Sequence, residues 1–423
     1  MRANGAGSPV INDGLPAAEQ RLTHRNGAIS MNKTYDALII GTGQAGPTLA
    51  SKLAASGLQT AIVERDLFGG TCVNVGCTPT KTMVASARAA YVARRAAEFG
   101  VVIEGPVHVD MKRVKVRRDA VVRQSNEGVE KWLKNTSNLT VYEGHARFEE
   151  PHVVRVGDDL LEAKRIFINV GARPFVPDMP GVTDVGILTS TGMMDIDFLP
   201  EHLVVIGGSY IGLEFGQMFR RFGSKVTIVE MKPRLIARED EDVSLAVQEI
   251  LESEGIDLRL NAKCIALAPD GDGVKVAVDC EGGEPDVFGS HVLMAVGRQP
   301  NTDDLGLDKA GIDVNERGYI RVNDELMTNV PDVWALGDVN GEGAFTHTSY
   351  NDHEIVADNL LNNDTRRLSD RIQTYGLFID PPLGRAGMTQ AQALESGREV
   401  LVGKRPMTRV SRAASMVSRM PFS

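Results

Sequence analysis

Residues 35–64 read YDALIIGTGQAGPTLASKLAASGLQTAIVE. The apolar run Ala37 to Ile40 enters a glycine loop, a helix-like stretch follows as far as Ser56, and a second apolar run ends at Glu64. Strand, glycine loop, helix and strand make a βαβ unit. In GTGQAG, Gly41 permits the tight turn, Gly43 lets backbone amides approach a pyrophosphate at the helix N-terminus, and Gly46 lets helix and strand pack closely. Glu64 stands 18 positions after Gly46, where a carboxylate accepts hydrogen bonds from a ribose. A lone match of this kind also reads as a flexible loop; the strand before it, the helix after it and the acid downstream make it a dinucleotide site.

The same order returns in residues 203–230, LVVIGGSYIGLEFGQMFRRFGSKVTIVE. Gly41 and Gly207, Gly46 and Gly212, Gly57 and Gly223, and Glu64 and Glu230 are each 166 positions apart. Ser209 takes the middle-glycine place, and its added Cβ and hydroxyl crowd a pyrophosphate, which predicts a weaker, exchangeable ligand. Two dinucleotide sites in one chain imply a hydride relay between a nicotinamide and a flavin, because no side chain carries hydride.

Outward from these units, helical stretches are expected at Thr80 to Phe99 and Arg117 to Leu133, and short strands in TVYEGHARF and HVVRV. Three further strands run into glycine: RIFINVGARP at Gly171, HVLMAVGRQPN at Gly297, and DVWALGD, ending at Asp338. Residues 1–30 are small, polar and aperiodic, a disordered extension or an upstream start. The last 53 residues, from Arg371, carry 8 basic and 3 acidic side chains, with strand-like YGLFID and EVLVG around a short helix.

The whole chain has 423 residues, 42% hydrophobic and 24% charged, with net charge −10. Disorder throughout is excluded by composition, and nucleic-acid binding by the absence of a concentrated basic face. No apolar run reaches the ~18 residues of a membrane span, and residues 1–30 lack a signal-peptide core, so a soluble, cytoplasmic protein is expected.

The four cysteines are Cys72 and Cys77, close together in GGTCVNVGCTPTKTMVASA, and Cys264 and Cys280, read as packing residues. Cys72 and Cys77 are too far round a regular helix to share a face, so a bridge needs a distorted turn, which Gly76 makes feasible. Pro79 suits a helix start, whose positive end lowers the pKa of Cys77. Lys81, four residues on, lies on the same helical face, where its ammonium can stabilise a thiolate or a reduced flavin. Two other readings compete. A zinc knuckle needs two more ligands, and none stands at ligand spacing; two inert buried thiols leave the glycines and the lysine unexplained.

With these motifs in this order, Asn32 to Arg412 resembles the class I pyridine nucleotide-disulfide oxidoreductases: glutathione reductase, dihydrolipoamide dehydrogenase and especially the mercuric-reductase-like flavoproteins. The resemblance implies an α/β fold with two Rossmann-like dinucleotide-binding domains and an incomplete α+β dimerisation domain. Its divisions are 1–30, extension; 31–180, first part of the FAD-binding domain; 181–298, NAD(P)-binding domain; 299–370, FAD-binding and central segment; and 371–423, truncated dimerisation domain. It implies FAD bound by Gly41, Gly43, Gly46 and Glu64 with Thr71, Lys81, Ala146, Gly171, Asp338 and Thr346. NAD(P)H falls to Gly207, Ser209, Tyr210, Gly212, Glu230 and Gly297. Glu230 favours NADH, since a carboxylate accepts from the ribose 2′-hydroxyl and repels a 2′-phosphate, although Lys232 and Arg234 follow closely. By the same resemblance Cys72 is the interchange thiol, Cys77 the charge-transfer thiol, Lys81 the flavin-side cation paired with Glu214, and Tyr210 the gate that admits nicotinamide. Lys81 and Glu214 also read as an ordinary surface ion pair, and Tyr210 as a packing aromatic.

The family ends in a C-terminal His and Glu that serve the partner subunit. Here the last histidine is His353, and after Arg412 the sequence reads ASMVSRMPFS. The expectation is a truncated or frameshifted dimerisation domain, a doubtful homodimer, and weak reduction of organic disulfides. Electron transfer from NAD(P)H to flavin and on to a small molecule, disulfide or metal ion is expected to survive. A dihydrolipoamide dehydrogenase and an impaired or non-catalytic flavin-binding remnant are the alternatives. No resident metal site is expected.

Overall fold

The two glycine repeats become two parallel sheets in a computed structural model that describes residues 22–23, 30–279 and 286–416. In the first, Leu139–Glu143, Thr60–Glu64, Ser30–Ile40 and Asp159–Ile168 lie side by side in parallel, with Val333–Ala335 also parallel to Asp159–Ile168. The strand Thr60–Glu64 is buried along its whole length, as a continuous apolar run between two covered faces requires. An antiparallel meander of Ala146–Glu150, Val153–Val156 and Asp159–Ile168 extends this sheet.

The second sheet repeats the design. Asp257–Arg259, Lys225–Val229, His202–Ile206, His291–Met294 and Ile187–Thr189 are parallel, and a separate meander of Lys263–Asp270, Gly273–Asp279 and Asp286–Gly289 packs against it. The two strand-end glycines open the crossover between the halves, where Ala172–Pro174 pairs antiparallel with Arg298–Pro300. The α/β class with two dinucleotide-type sheets is therefore as expected.

Several boundaries differ from the sequence reading. The helix expected from Thr80 begins at Cys77 and ends at Arg94, and a separate turn of 3-10 helix covers Ala96–Phe99. The helix expected from Arg117 spans Met111–Lys134, started by Asp110, whose carboxylate accepts from the Arg113 amide. EVLVG is not a strand. The strand Thr374–Leu377 pairs instead with Leu383–Ala386, and residues 399–403 pair with no strand among the described residues, with Leu401 95% exposed. Within the extension, Leu22–Thr23 pairs with Ser30 and Met31; its other residues up to 29 lie outside the described residues, as do Cys280 and the side chain of Cys264. Among the described residues, no helix is long and apolar enough to cross a membrane.

The segment after Arg371 is tied to the rest by buried charge. Arg221 bridges Glu254 at 2.6 Å and Asp380 at 2.8 Å, its guanidinium lies 3.8 Å from the centroid of the Tyr91 ring, and Asp380 also meets Arg88 at 2.6 Å. Arg221 and Glu254 are almost without solvent, so deleting the arginine strands a buried carboxylate. Arg221→Ala is expected to destabilise the fold by about 3–5 kcal/mol, read as a lowered midpoint in urea; an unchanged midpoint would remove the network from the account of stability.

Candidate active site

The first glycine loop is built by close backbone approach. Gly41 has φ +103°, and a Cβ there would collide with the Asn169 carbonyl; one on Gly46 would collide with the Gly41 carbonyl. A Cβ on Gly70 would come 2.9 Å from the Gly43 Cα, so the loop and the cysteine-bearing turn cross with no room for side chains. Asn169 and Gly70 were not singled out in the sequence. The doubled glycine at 69–70 was the available signal.

Glu64 is buried and fully engaged. It accepts from the Thr42 amide at 3.0 Å and the Thr42 hydroxyl through one oxygen, and from the Arg65 and Asp66 amides at 2.8 and 3.0 Å through the other. A carboxylate offers about four acceptor positions, so a ribose hydroxyl must displace one of these donors. Among the described residues Glu230 accepts only from the Gly208 amide at 2.6 Å and the Lys232 amide at 2.8 Å, which leaves it two positions.

Cys72 lies in the short helix Gly70–Asn74 and Cys77 opens the helix Cys77–Arg94, with Gly76 at the break between them. A Cβ on Gly76 would stand 2.8 Å from the Thr71 carbonyl oxygen, so the distorted turn that a bridge requires is present and needs this glycine. Asn74 holds the turn by donating to the Phe68 and Gly70 carbonyls at 2.9 and 3.0 Å, and Asn126 from the long helix donates to Phe68 at 2.7 Å. Pro79 is the third residue of the helix, within the first turn where a missing N–H costs nothing.

The two sulfurs are free thiols in this structure, and their environments divide their acidity. Cys77 is lowered to about 6, first by the Cys72 thiol that hydrogen-bonds to it, then by the Thr346 hydroxyl and the Lys81 ammonium, against burial and the Glu214 charge. Cys72 is pushed up by its Cys77 partner and by burial. These shifts favour the thiolate on Cys77 over Cys72.

Lys81 and Glu214 meet at 2.6 Å, the carboxylate buried and the ammonium one-third exposed. Phe378 completes the arrangement: its amide donates to the other Glu214 oxygen at 3.0 Å, and its ring centroid lies 4.3 Å from the Lys81 ammonium. Phe378 was missed because nothing in YGLFID marks a backbone donor. Tyr210, at the start of the helix Tyr210–Phe222, packs on Phe345 at 5.3 Å and edge-on to Tyr375 at 6.3 Å. Burial raises its pKa, keeping the phenol neutral. Asp338 is also raised by burial, against the opposing guanidinium of Arg298 at 3.4 Å.

These groups share one cavity of ≈ 1000 Å³, at the upper end of the roughly 300–1,000 Å³ of ligand pockets. Gly41, Gly43, Glu64, Thr71, Ala146, Gly171, Asp338 and Thr346 line it, with the thiols, Lys81, Glu214 and Tyr210. Gly46 lies behind the loop. Gly207, Ser209, Gly212, Glu230 and Gly297 fall outside the cavity and gather around the second loop. Ser209 caps the helix without a side-chain hydrogen bond. The cavity fits a flavin dinucleotide: bare backbone at Gly43 and Gly70, the half-buried carboxylate of Asp338, the Lys81 ammonium and the two thiols all line it. Among the described residues no group of three or more His, Cys, Asp or Glu side chains could hold a metal ion.

Comparison with known proteins identifies the family. The pyridine nucleotide-disulphide oxidoreductase family matches residues 35–352. The chain is 39% identical over 394 residues to the probable pyridine nucleotide-disulfide oxidoreductase RclA of Escherichia coli, covering 91% of this chain and 84% of that one. It is 34% identical to the dihydrolipoyl dehydrogenase of Haloferax volcanii, covering 89% and 80%, and 33% identical to the mercuric reductase of Streptomyces lividans, covering 86% and 77%. The solved structure of the HOCl-induced flavoprotein disulfide reductase RclA from Escherichia coli superposes with a TM-score of 0.81 at 39% identity, covering 90% of this chain and 84% of that one. The chain belongs to the pyridine nucleotide-disulphide oxidoreductase family, enzymes that bind FAD and use NAD(P)H.

Proposed function

We propose that the chain passes electron pairs from NAD(P)H to a redox-active Cys72–Cys77 bridge and on to a disulfide, a metal ion or another small acceptor. The observation that carries this reading is that both thiols, Lys81 and Glu214 line the same cavity as the Gly41 loop. FAD, when bound, supplies the two-electron carrier between nicotinamide and sulfur. Gly41, Gly43, Gly46, Glu64, Thr71, Lys81, Ala146, Gly171, Asp338 and Thr346 would hold it, from segments 31–180 and 299–370. Gly207, Ser209, Tyr210, Gly212, Glu230 and Gly297, from segment 181–298, would hold the nicotinamide dinucleotide.

Two electrons and one proton convert the bridge to one thiol and one thiolate. Cys77, with the lowered pKa, keeps the negative charge beside Lys81, and Cys72 is the thiol that meets the acceptor. The Lys81 ammonium, hydrogen-bonded to Glu214 at 2.6 Å, balances the thiolate. Tyr210, neutral and packed among aromatics, closes the nicotinamide side. The acceptor classes follow from sulfur chemistry and from relatives: mercuric reductases are among them, and solved structures of RclA include a Cu(II) complex. A soft metal ion and a disulfide both take electrons from a thiol pair.

Anaerobic addition of NADH to the yellow holoprotein is expected to produce long-wavelength charge-transfer absorbance; a colourless protein would sink the reading. Cys72→Ser should keep flavin reduction and lose acceptor turnover, so undiminished turnover would place the pair outside the mechanism. Glu230, with two open acceptor positions, predicts a lower KM for NADH than for NADPH, and steady-state rates checking both cofactors decide it. Alkylation of Cys77 should rise with pH through a midpoint near 6. Lys81→Met removes a positive charge from beside the thiolate and moves that midpoint upward; a downward or absent shift would show that the ammonium does not act on this sulfur.

A further inference from the structure

Thr346 enters the sequence reading only as a contact for the cofactor, yet its hydroxyl is aimed at sulfur. Its oxygen lies 3.1 Å from the Cys77 Sγ and 3.3 Å from the Cys72 Sγ. Among the described residues, no other side chain hydrogen-bonds to either thiol apart from the other thiol itself. Thr346 is the first residue of the helix Thr346–Asn362, so its Cβ is carried on a rigid element, and a Thr348 hydroxyl that accepts from the Phe345 amide at 3.2 Å closes the turn before it. The other charged groups facing Cys77 are Lys81 and Glu214, and they are committed to each other at 2.6 Å.

We propose that Thr346 is a positioning residue for the sulfur chemistry: its hydroxyl donates a hydrogen bond to the thiolate of the reduced pair and thereby favours the open, dithiol form of the Cys72–Cys77 bridge. The inference rests on the reading that these cysteines form a redox-active bridge. Opening the bridge takes up two electrons, supplied through the family's NAD(P)H chemistry, and one proton from water, and yields one thiol and one thiolate. A hydroxyl carries a single proton, so it serves one sulfur at a time. With both sulfurs in reach, it rotates to whichever bears the charge, without transferring its proton. A bridging sulfur is neutral and a poor acceptor, so the hydrogen bond is stronger to the thiolate and stabilises the reduced side of the equilibrium.

The test equilibrates full-length holoprotein with mixtures of reduced and oxidised dithiothreitol, traps free thiols by alkylation, and reads the Cys72 and Cys77 peptides by mass. At pH 7.5, Thr346→Val is expected to need about tenfold more reductant to open half the bridge, the equivalent of about one unit in the thiolate pKa. At pH 5, below the point where Cys77 ionises, wild type and variant should coincide, and Thr346→Ser should follow wild type at both values. A purely structural role would shift Val at both pH values alike, and would overturn the inference. So would a Ser variant that behaves as Val, or Val and wild-type curves that superimpose at pH 7.5. If Val does not fold, Thr346→Ala takes its place with the same outcomes. A wild-type chain that forms no Cys72–Cys77 bridge at any ratio would instead overturn the relay reading itself.

Discussion

The Glu214 carboxylate has almost no contact with solvent and is held from three directions. Its own helix, Tyr210–Phe222, belongs to the second dinucleotide unit, Lys81 comes from the cysteine-bearing helix of the first, and the Phe378 amide comes from the segment after Arg371. A buried carboxylate is tolerated only when its charge is matched and its lone pairs are satisfied. Separating any of the three segments leaves Glu214 short of a partner. The requirement to satisfy one carboxylate thus fixes where the first unit's thiols lie relative to the second unit's loop, and this is the geometry an electron relay needs.

Rigidity elsewhere serves the same end. The cysteine turn cannot drift, because Gly70 lies against Gly43 and Gly76 against the Thr71 carbonyl, each too close for a side chain. Arg371 pairs with buried Asp352, which also accepts from the Gly337 amide at 2.6 Å and from Asn340. The loop bearing Asp338 is thereby fixed from behind. Close backbone approach thus fixes the cysteine turn, and a buried ion pair fixes the loop bearing Asp338.

What the sequence made legible, it made legible by period and repetition. The constant offset between the glycine units and the apolar runs before them identified both sheets, and Lys81 followed Cys77 at helical spacing. Long-range partners left no such trace. Phe378 contributes a backbone amide, which every residue but proline possesses. Arg221, Glu254 and Asp380 are separated by more than 30 residues in each pairing, and charged residues at such distances read as surface. EVLVG misled because a strand is defined by its neighbour, and apolar alternation says nothing of whether one exists. Thr346 carried a motif-borne role that hid the nearer one, since spacing cannot reveal which way a hydroxyl points.

The relay also explains why relatives with different substrates share so much of it. RclA, dihydrolipoyl dehydrogenases and mercuric reductases resemble this chain at similar identity, so on the proposed relay the parts that carry electrons as far as sulfur would not discriminate among acceptors. On the proposed relay, discrimination falls to other side chains of the cavity wall. There His347 stacks on Phe345 and bonds to the Thr374 carbonyl at 3.0 Å, beside Tyr350, Asn351 and Glu354. These side chains take no part in holding Glu214 or the glycine turns. Apart from Asn351, which accepts from Arg371 at 2.8 Å, they lie outside those contacts, so on the proposed relay acceptor choice can change while the electron path stays the same.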